Sequence, residues 1–139
     1  MRFAGRVFRA GRHWAIEVPI LGVVTQGRTK AEAFEMITDA IEALVNKEGF
    51  TVDVYPGEGE YFEVGARDQA AFSAFLLRRM RLKRGLTLSE VARRLGAKSH
   101  NAYARYEQGR SVPTIERLGR LISAVSPEKD FVLTESRGH

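Results

Sequence analysis

The sequence predicts an α+β fold in two parts, a β-β-β-α-β domain over residues 1–66 and an all-α domain over residues 67–139. In the first part, residues 13–18 and 51–55 alternate apolar and polar side chains, which is typical of half-buried strands. After Asp68, apolar residues instead recur at every third or fourth position, as they do on one face of a helix. A sheet covered by one helix is a stable way to bury the apolar surface of the first part.

A hairpin is predicted at the N-terminus. Residues 2–9 mix apolar and basic side chains, Gly11-Arg12 supplies a turn, and the alternating run of residues 13–18 follows at once. Because only a short turn separates the two runs, we expect them to pair as antiparallel strands. A third, short β-prone run is present at residues 23–25, after a bend at Gly22.

The clearest helix of the first part begins after Thr29. Thr29 and Glu32 have the T-x-x-E spacing of a capping box, in which each side chain bonds a free backbone N–H group. Gly49 is predicted to end this helix. The strand at residues 51–55 follows, and after an acidic turn residues 61–64 have the composition of a last short strand. The apolar residues of the helix form one stripe: Ala33, Phe34, Ile37, Ala40, Ile41, Leu44 and Val45.

Four helices are predicted in the second part, each bounded by a capping residue or a glycine. Asp68 is expected to cap the first helix and Gly85 to end it. Thr87 and Glu90 repeat the capping-box spacing, which opens a second helix over residues 88–95.

The remaining two helices follow further glycines. Gly96 separates the second helix from a third, which Ser99 caps and which runs to about Tyr106. Gly109 ends the third helix, and Pro113-Thr114 starts the last one. Four apolar residues of the last helix are predicted to face the core: Ile115, Leu118, Leu121 and Ile122.

Charge is unevenly distributed along the chain. Residues 1–66 contain 7 Lys/Arg and 10 Asp/Glu, a net charge of −3, whereas residues 67–139 contain 15 and 7, a net charge of +8. A basic second part suits a polyanion, and an acidic first part suits a different partner. The alternative is two solvated surfaces of different sign.

The composition also excludes several kinds of site. With no cysteine, the chain forms neither a disulfide framework nor a thiolate zinc site, and we expect no metal and no other cofactor. The absence of cysteine agrees with a cytoplasmic location. No stretch approaches the ~20 apolar residues of a membrane span, so we expect no membrane association.

The region 76–125 resembles the helix-turn-helix domain of the phage-repressor and XRE regulator family. The matching residues are Arg81, Gly85-Leu86-Thr87, Glu90-Val91-Ala92, Leu95-Gly96, Tyr106-Glu107-Gln108-Gly109-Arg110 and Pro113. The small side chain of Ala92 suits the place where two helices cross, and Gly96 permits the turn between them. The resemblance also implies an ion pair between Arg81 and Glu107, which we interpret as structural.

The same resemblance implies that the helix after Ser99 lies in the major groove of DNA, with Tyr103 in the core. Its base-reading residues would be His100, Asn101 and Arg105, because Asn bonds adenine and Arg bonds guanine at two places each. Thr87, Ser89, Lys98 and Arg110 would contact phosphates. The complete implied DNA-binding set is Thr87, Ser89, Lys98, Ser99, His100, Asn101, Arg105 and Arg110.

Two departures from the family pattern affect this assignment. Leu88 stands where the family often has glutamine, and the turn before Ser99 is one residue longer, which can shift the readers by one position. For each reader, the alternative is a solvated surface residue. Such domains usually bind double-stranded operator DNA as dimers on half-sites ~34–36 Å apart, so we expect a homodimer or higher oligomer. The tail from Phe131 and the N-terminal sheet are the candidate association surfaces.

The first part resembles the N-terminal domain of HicB antitoxins over residues 13–46. The matching features are the aromatic strand ending in Val18-Pro19, the Gly22 bend, Thr25-Gln26-Gly27, Thr29, and Glu32-Ala33 at the helix start. Ile20-Leu21-Gly22-Val23 replaces a frequent Asp-Leu-Pro-Gly-Cys run, and Arg28 stands where an acidic residue is frequent. The domain order also fits, because many HicB proteins end in a DNA-binding module.

This resemblance implies a partial ribonuclease-H-like fold and an antitoxin with two activities. The first domain would neutralise a small basic, RNA-cleaving HicA-like toxin, and the second would repress the operon that encodes both. Acidic surface attracts a basic partner, and the residues predicted to contact it are Trp14, Glu17, Glu58, Glu60 and Glu63. The alternative is that Trp14 lies in the core and the glutamates are merely solvated.

Catalysis is not expected. A ribonuclease-H-type nuclease needs several carboxylates around metal ions, whereas Asp39 lies on a helix, Asp53 lies on a later strand, and His13 has no evident catalytic partner. The main alternative function is a stand-alone transcriptional regulator whose first domain senses a ligand or dimerises.

Overall fold

The computed structural model describes residues 1–137, which form two compact units. The first unit contains residues 1–68 together with the tail from Glu135, and the second contains Gln69–Thr134. The domain boundary predicted from the sequence, after residue 66, lies two residues earlier, and the prediction places the tail in the second domain. Gly138 and His139, at the end of that predicted domain, lie outside the described residues.

A five-stranded antiparallel sheet and one helix form the first unit. The elements are β1 Arg2–Ala10, β2 His13–Val18, β3 Val23–Gly27, α1 Lys30–Val45, β4 Asp53–Pro56 and β5 Tyr61–Gly65, with a 3-10 turn at Pro19–Leu21. The strands lie in the order β3-β2-β1-β5-β4. The predicted hairpin is confirmed, because Ala10 pairs with His13 across the Gly11-Arg12 turn.

The last strand lies inside the sheet. β5 pairs with β1 on one side and with β4 on the other. With this strand, the order of elements along the chain is β-β-β-α-β-β instead of the predicted β-β-β-α-β. Phe62 and Val64 of β5 are fully buried, and the Phe62 ring meets Phe34 of α1 edge-on, with 5.4 Å between ring centroids. Gly5 of β1 lies opposite Phe62, and an added Cβ there would come within 2.3 Å of the ring. A glycine is therefore required where this ring crosses the strand.

Helix α1 is present as predicted, but both of its ends differ. Thr29 accepts a hydrogen bond from the Glu32 N–H group at 3.0 Å, whereas the Glu32 carboxylate accepts from the Arg28 N–H group at 3.4 Å and does not complete the capping box. The helix stops before Asn46, which takes the left-handed conformation at φ 52°. Asn tolerates this region better than most residues. Gly49, the predicted stop, lies in the turn that follows, so that prediction is wrong.

The second unit contains the four predicted helices, α2 Gln69–Lys83, α3 Leu88–Arg94, α4 Asn101–Glu107 and α5 Ile115–Val125. The first three end in the same way, each with a glycine in the left-handed conformation: Gly85, Gly96 and Gly109. In each case the N–H group after the glycine donates to the carbonyl five residues back. This Schellman arrangement satisfies carbonyls that a helix end leaves open. The predicted helix stops in this unit are confirmed.

The predicted inward stripe of α5 is wrong at its first member. Leu121 and Ile122 are buried and Leu118 is half-buried, but Ile115 is 90% exposed. Ile115 is the first residue of the helix, and within residues 1–137 no neighbouring element covers it. The buried stripe therefore starts one turn later than the spacing suggests.

Candidate nucleic-acid interface

Helices α3 and α4 are joined by a turn whose backbone is fixed by hydrogen bonds. The turn spans six residues, 95–100. The Ala97 N–H group donates to the Ala92 carbonyl at 2.9 Å, and the Gly96 N–H group donates to the Arg93 carbonyl at 3.0 Å. Ala92 is 2% exposed, which agrees with a small residue where two helices cross. The chain therefore leaves α3 in one defined direction.

Ser99 prepares the start of α4. Its Oγ accepts a hydrogen bond from the Asn101 N–H group at 3.2 Å, and its carbonyl accepts from the Ala102 N–H group at 3.2 Å. The residue directly before the helix is His100, whose side chain makes no capping bond. Ser99 thus caps the first turn, as predicted, from one position further back.

An ion pair joins the end of α2 to the end of α4. Arg81 donates twice to Glu107, from Nε at 2.8 Å and from Nη2 at 3.0 Å, and its Nη1 donates to the Leu86 carbonyl at 2.9 Å. The two side chains are only 14% and 7% exposed. Hydrogen bonding to the Glu107 carboxylate raises the pKa of Arg81, although burial acts in the opposite direction. The predicted structural pair is confirmed, and its two-point geometry fixes the orientation of α4.

Tyr103 lies in the core of this unit. It is completely buried, as predicted, and its hydroxyl has no hydrogen-bond partner among residues 1–137. Burial, followed by the nearby negative charge of Glu107, raises the pKa of Tyr103. The phenol therefore stays neutral, anchors α4, and is not available to DNA.

The turn and the two helices present an exposed polar surface. Three residues of α3 and four residues of the turn line one shallow depression: Ser89, Ala92, Arg93, Ala97, Lys98, Ser99 and His100. The fold therefore brings two separate parts of the predicted interface together. All eight residues predicted to contact DNA are exposed: Thr87, Ser89, Lys98, Ser99, His100, Asn101, Arg105 and Arg110.

Arg93 is a further cation of this surface that the family resemblance does not point to. It is exposed and lies one helical turn after Ser89, in the same depression. That spacing places both residues on one helix face, and it is the signal in the sequence that identifies Arg93. Within residues 1–137, four exposed cations of this region form no ion pair: Arg93, Lys98, Arg105 and Arg110. Their charges are therefore open to a polyanion.

These features agree with a known family. Residues 77–125 match the family model described as helix-turn-helix. The second unit carries a helix-turn-helix domain. The match begins inside α2 and ends with α5, so it includes every element that builds the exposed surface, and it supports a DNA-binding transcriptional regulator. No curated protein matches the chain.

Two hydroxyls of the helix-turn-helix domain are occupied by the backbone. Thr87 Oγ1 accepts from the Glu90 N–H group at 3.1 Å, and the Glu90 carboxylate accepts from the Thr87 N–H group at 3.4 Å, which confirms the predicted capping box. The hydroxyl of Ser99 is similarly engaged with Asn101. In contrast, the side chains of Ser89 and Asn101 form no hydrogen bond within the described residues. These two side chains can therefore bind DNA without first breaking a bond inside the domain.

The acidic surface predicted in the first unit is partly neutralised by one arginine. Glu58 and Glu60 are exposed in the turn between β4 and β5. The Arg6 guanidinium lies 3.2 Å from the Glu60 carboxylate and 3.7 Å from that of Glu17, which pairs with it across β1 and β2. Only Glu58 of these three acids has no ion-pair partner within residues 1–137.

The other two predicted contact residues are less accessible. Trp14 is half-buried, and the ammonium group of Lys30 lies 6.0 Å from its ring centroid. Glu63 is 4% exposed and so is not part of an open acidic surface, contrary to the prediction. Its carboxylate instead accepts hydrogen bonds from Tyr61 and from residues of the C-terminal tail.

The carboxylates considered for catalysis do not form a metal site. Asp39 of α1 and Asp53 of β4 line one shallow depression together with Glu35. However, the described residues contain no group of three or more His, Cys, Asp or Glu side chains placed to hold a metal ion. The same part of the chain has no helix long and apolar enough to cross a membrane.

Proposed function

We propose that this protein is an antitoxin of the HicA/HicB type that also represses its own operon. In this proposal the first unit occludes a small basic RNA-cleaving toxin, without catalysis of its own. The helix-turn-helix domain binds operator DNA as part of a cytoplasmic homodimer or higher oligomer. The resemblance of residues 13–46 to HicB antitoxins supports the toxin-binding role, and so does the net charge of −3 over residues 1–66.

The DNA-binding role depends on the exposed side of α3, the turn and α4. Helix-turn-helix domains place the second helix in the major groove with its N-terminal residues at the base edges. Asn101 and Arg105 lie one turn apart on that helix and are both exposed, which suits base reading. Arg93 and Lys98, which form no ion pair within residues 1–137, line the same depression as the end of the turn, where they can meet phosphates.

The toxin-binding role depends on the acidic turn between β4 and β5. Glu58 is exposed without an ion-pair partner in the described chain, and Glu60 shares its charge with Arg6. A basic partner that supplies further cations would be attracted to this turn, and its encounter rate would rise at low salt.

Operator binding tests the first half of the proposal. Asn101→Ala and Arg105→Ala should each cost about 1–3 kcal/mol of operator affinity, about 5- to 150-fold in Kd, and should relax base preference. Arg120→Ala is the matched control, because Arg120 is exposed in the same unit and, within residues 1–137, pairs only with Glu116 on its own helix. Quantitative gel-shift titrations at fixed salt measure the effect. If both α4 variants bind operator as tightly as the control, α4 does not read the groove.

Co-purification tests the second half. The intact chain, expressed with the product of its neighbouring gene, should hold that product and relieve its effect on growth. Replacing Glu58 and Glu60 with lysine should weaken this association and leave operator binding unchanged, whereas Asn101→Ala should do the reverse. If the neighbouring product does not associate while operator binding stays intact, the chain is a stand-alone transcriptional regulator.

A further inference from the structure

The C-terminal tail covers a buried carboxylate on the first unit. Along β5, Phe62 and Val64 are buried toward the core, so Tyr61 and Glu63 point to the opposite face of the sheet. A carboxylate on such a face is ordinarily hydrated, yet Glu63 is only 4% exposed. Ser136 Oγ donates to it at 2.9 Å, and the Arg137 backbone N–H group donates to its other oxygen at 2.9 Å. Donor groups of the tail therefore bind both oxygens of this carboxylate.

Aromatic rings hold guanidinium groups at both sides of this carboxylate. The Arg137 guanidinium lies 4.0 Å from the centroid of the Tyr61 ring. The Arg2 guanidinium lies 3.4 Å from the Tyr55 centroid and also donates to Glu63 at 3.2 Å. Guanidinium groups stack on aromatic faces better than the ammonium group of lysine does. Arg137 stacks in this way on Tyr61, and within residues 1–137 it binds Glu63 through its backbone N–H group and not through its guanidinium. The site therefore has the chemistry of a receptor for arginine.

Polar and cation–π contacts hold Ser136 and Arg137 in this receptor. The segment before these residues has no helix or strand, and its apolar residues Val132 and Leu133 are 81% and 96% exposed. The contacts described above come from Ser136 and Arg137 and are polar or cation–π in type. Ordering a segment that has no helix or strand costs conformational entropy, which opposes these contacts, so another segment that offers the same groups can replace it.

We propose that Glu63 and Tyr61 form a binding site for an arginine-bearing peptide segment, and that Ser136-Arg137 occupies this site until a basic partner displaces it. The contacts that define the site lie within the first unit. The identity of the displacing partner as the toxin rests on the proposed function. Displacement would uncover Glu63, the acid that the closed tail removes from the partner-facing surface. The tail then acts as a competitor that only a partner with a suitable arginine overcomes.

A peptide of residues 131–137 provides the direct test. A chain ending at Thr134 has the empty site and should bind this peptide, measured by fluorescence anisotropy of a labelled copy. The intact chain should bind it at least about 10-fold more weakly, because its own tail competes at a high effective concentration. Arg137→Ala in the intact chain weakens that competitor and should recover peptide binding, even if the shortened chain folds poorly.

Matched controls distinguish peptide binding at this site from nonspecific attraction between charges. Glu63→Gln in the shortened chain should abolish peptide binding, whereas Glu48→Gln, at an exposed acid of the same unit, should leave it unchanged. A peptide with alanine in place of its arginine should not bind. Equal peptide binding by the intact and shortened chains, or retained binding by the Glu63→Gln variant, would overturn the proposal.

Addition of the neighbouring gene's product distinguishes the two proposals. If that product associates with the intact chain and releases prebound peptide from the shortened one, the site and the partner are both supported. If the peptide binds as expected but the product neither associates nor competes, the arginine site stands and the antitoxin role fails. If the product associates without affecting the peptide, displacement of the tail by this partner is refuted.

Discussion

Removal of one half of the Arg81–Glu107 pair should destabilise the helix-turn-helix domain strongly. Glu107→Ala leaves a guanidinium that is 14% exposed with one carbonyl acceptor, Leu86, and no counter-ion. Loss of one partner from a buried pair costs about 3–5 kcal/mol. Because Arg81 keeps some solvent contact and its bond to Leu86, we expect the lower end, about 3 kcal/mol.

Two further variants define the origin of this cost. Arg120→Ala breaks a pair whose side chains are 65% and 80% exposed and should cost no more than about 0.5 kcal/mol, because water screens such pairs. Replacing Arg81 with Met and Glu107 with Leu together removes both charges and should recover most of the stability lost by Glu107→Ala.

Urea unfolding followed by far-ultraviolet circular dichroism measures these differences, because most helices of the chain lie in the second unit. The order of stability should be wild type, then Arg120→Ala close behind, then the double variant, then Glu107→Ala. If Glu107→Ala lies within about 1 kcal/mol of wild type, the pair is not shielded from water in the way the structure indicates.

Three other predictions concern the same domain. Tyr103→Phe should leave the free energy of unfolding in urea unchanged or raise it by up to about 1 kcal/mol, because the buried hydroxyl has no hydrogen-bond partner within residues 1–137; a loss of more than about 1 kcal/mol would reveal a hydrogen bond. Lys98→Ala should reduce the slope of log K against log salt by about 1 in operator titrations at several salt concentrations, and an unchanged slope would remove Lys98 from the phosphate contacts. Gly96→Ala and Gly119→Ala add a methyl group into open space, but only Gly96 has a positive φ, of 74°. Gly96→Ala should therefore lower the free energy of unfolding by about 1–2 kcal/mol, and Gly119→Ala should raise it by up to about 1 kcal/mol. If both variants shift the midpoint of thermal unfolding in the same direction, this reasoning is wrong.

Short-range hydrogen bonds explain why the helix ends of the second unit can be predicted from the sequence. The stop of a helix at Gly96 and its start at Thr87 depend on hydrogen bonds that reach only a few residues along the chain. Such signals are visible in a short window of sequence. The capping box predicted at Thr29 shows the limit of such signals. The Glu32 carboxylate bonds the N–H group of Arg28 and not that of Thr29, and side-chain position, not spacing, decides between these two neighbours.

Long-range packing explains most of the differences. β5 is only five residues long, and its position inside the sheet follows from pairing with β1, about sixty residues earlier in the chain, which no local pattern encodes. Ile115 has helical spacing to Leu118, but spacing alone does not reveal where the neighbouring elements end. The covering of Glu63 depends on a bond to Arg137, which is 74 residues away, so its sequence neighbourhood correctly indicates an acid on a strand but not its burial.

Helix α4 has one side that is packed into the domain and one side that is exposed and that we propose to read bases. Tyr103 and Glu107 lie one turn apart and hold the helix in place, the first by burial and the second by its pair with Arg81. Asn101 and Arg105, also one turn apart, are exposed and make no side-chain bond within the described residues. Surface substitutions away from packed or paired groups usually change stability by less than about 0.5 kcal/mol. The positions that we propose to read bases can therefore change without a loss of fold, whereas the positions on the other side cannot.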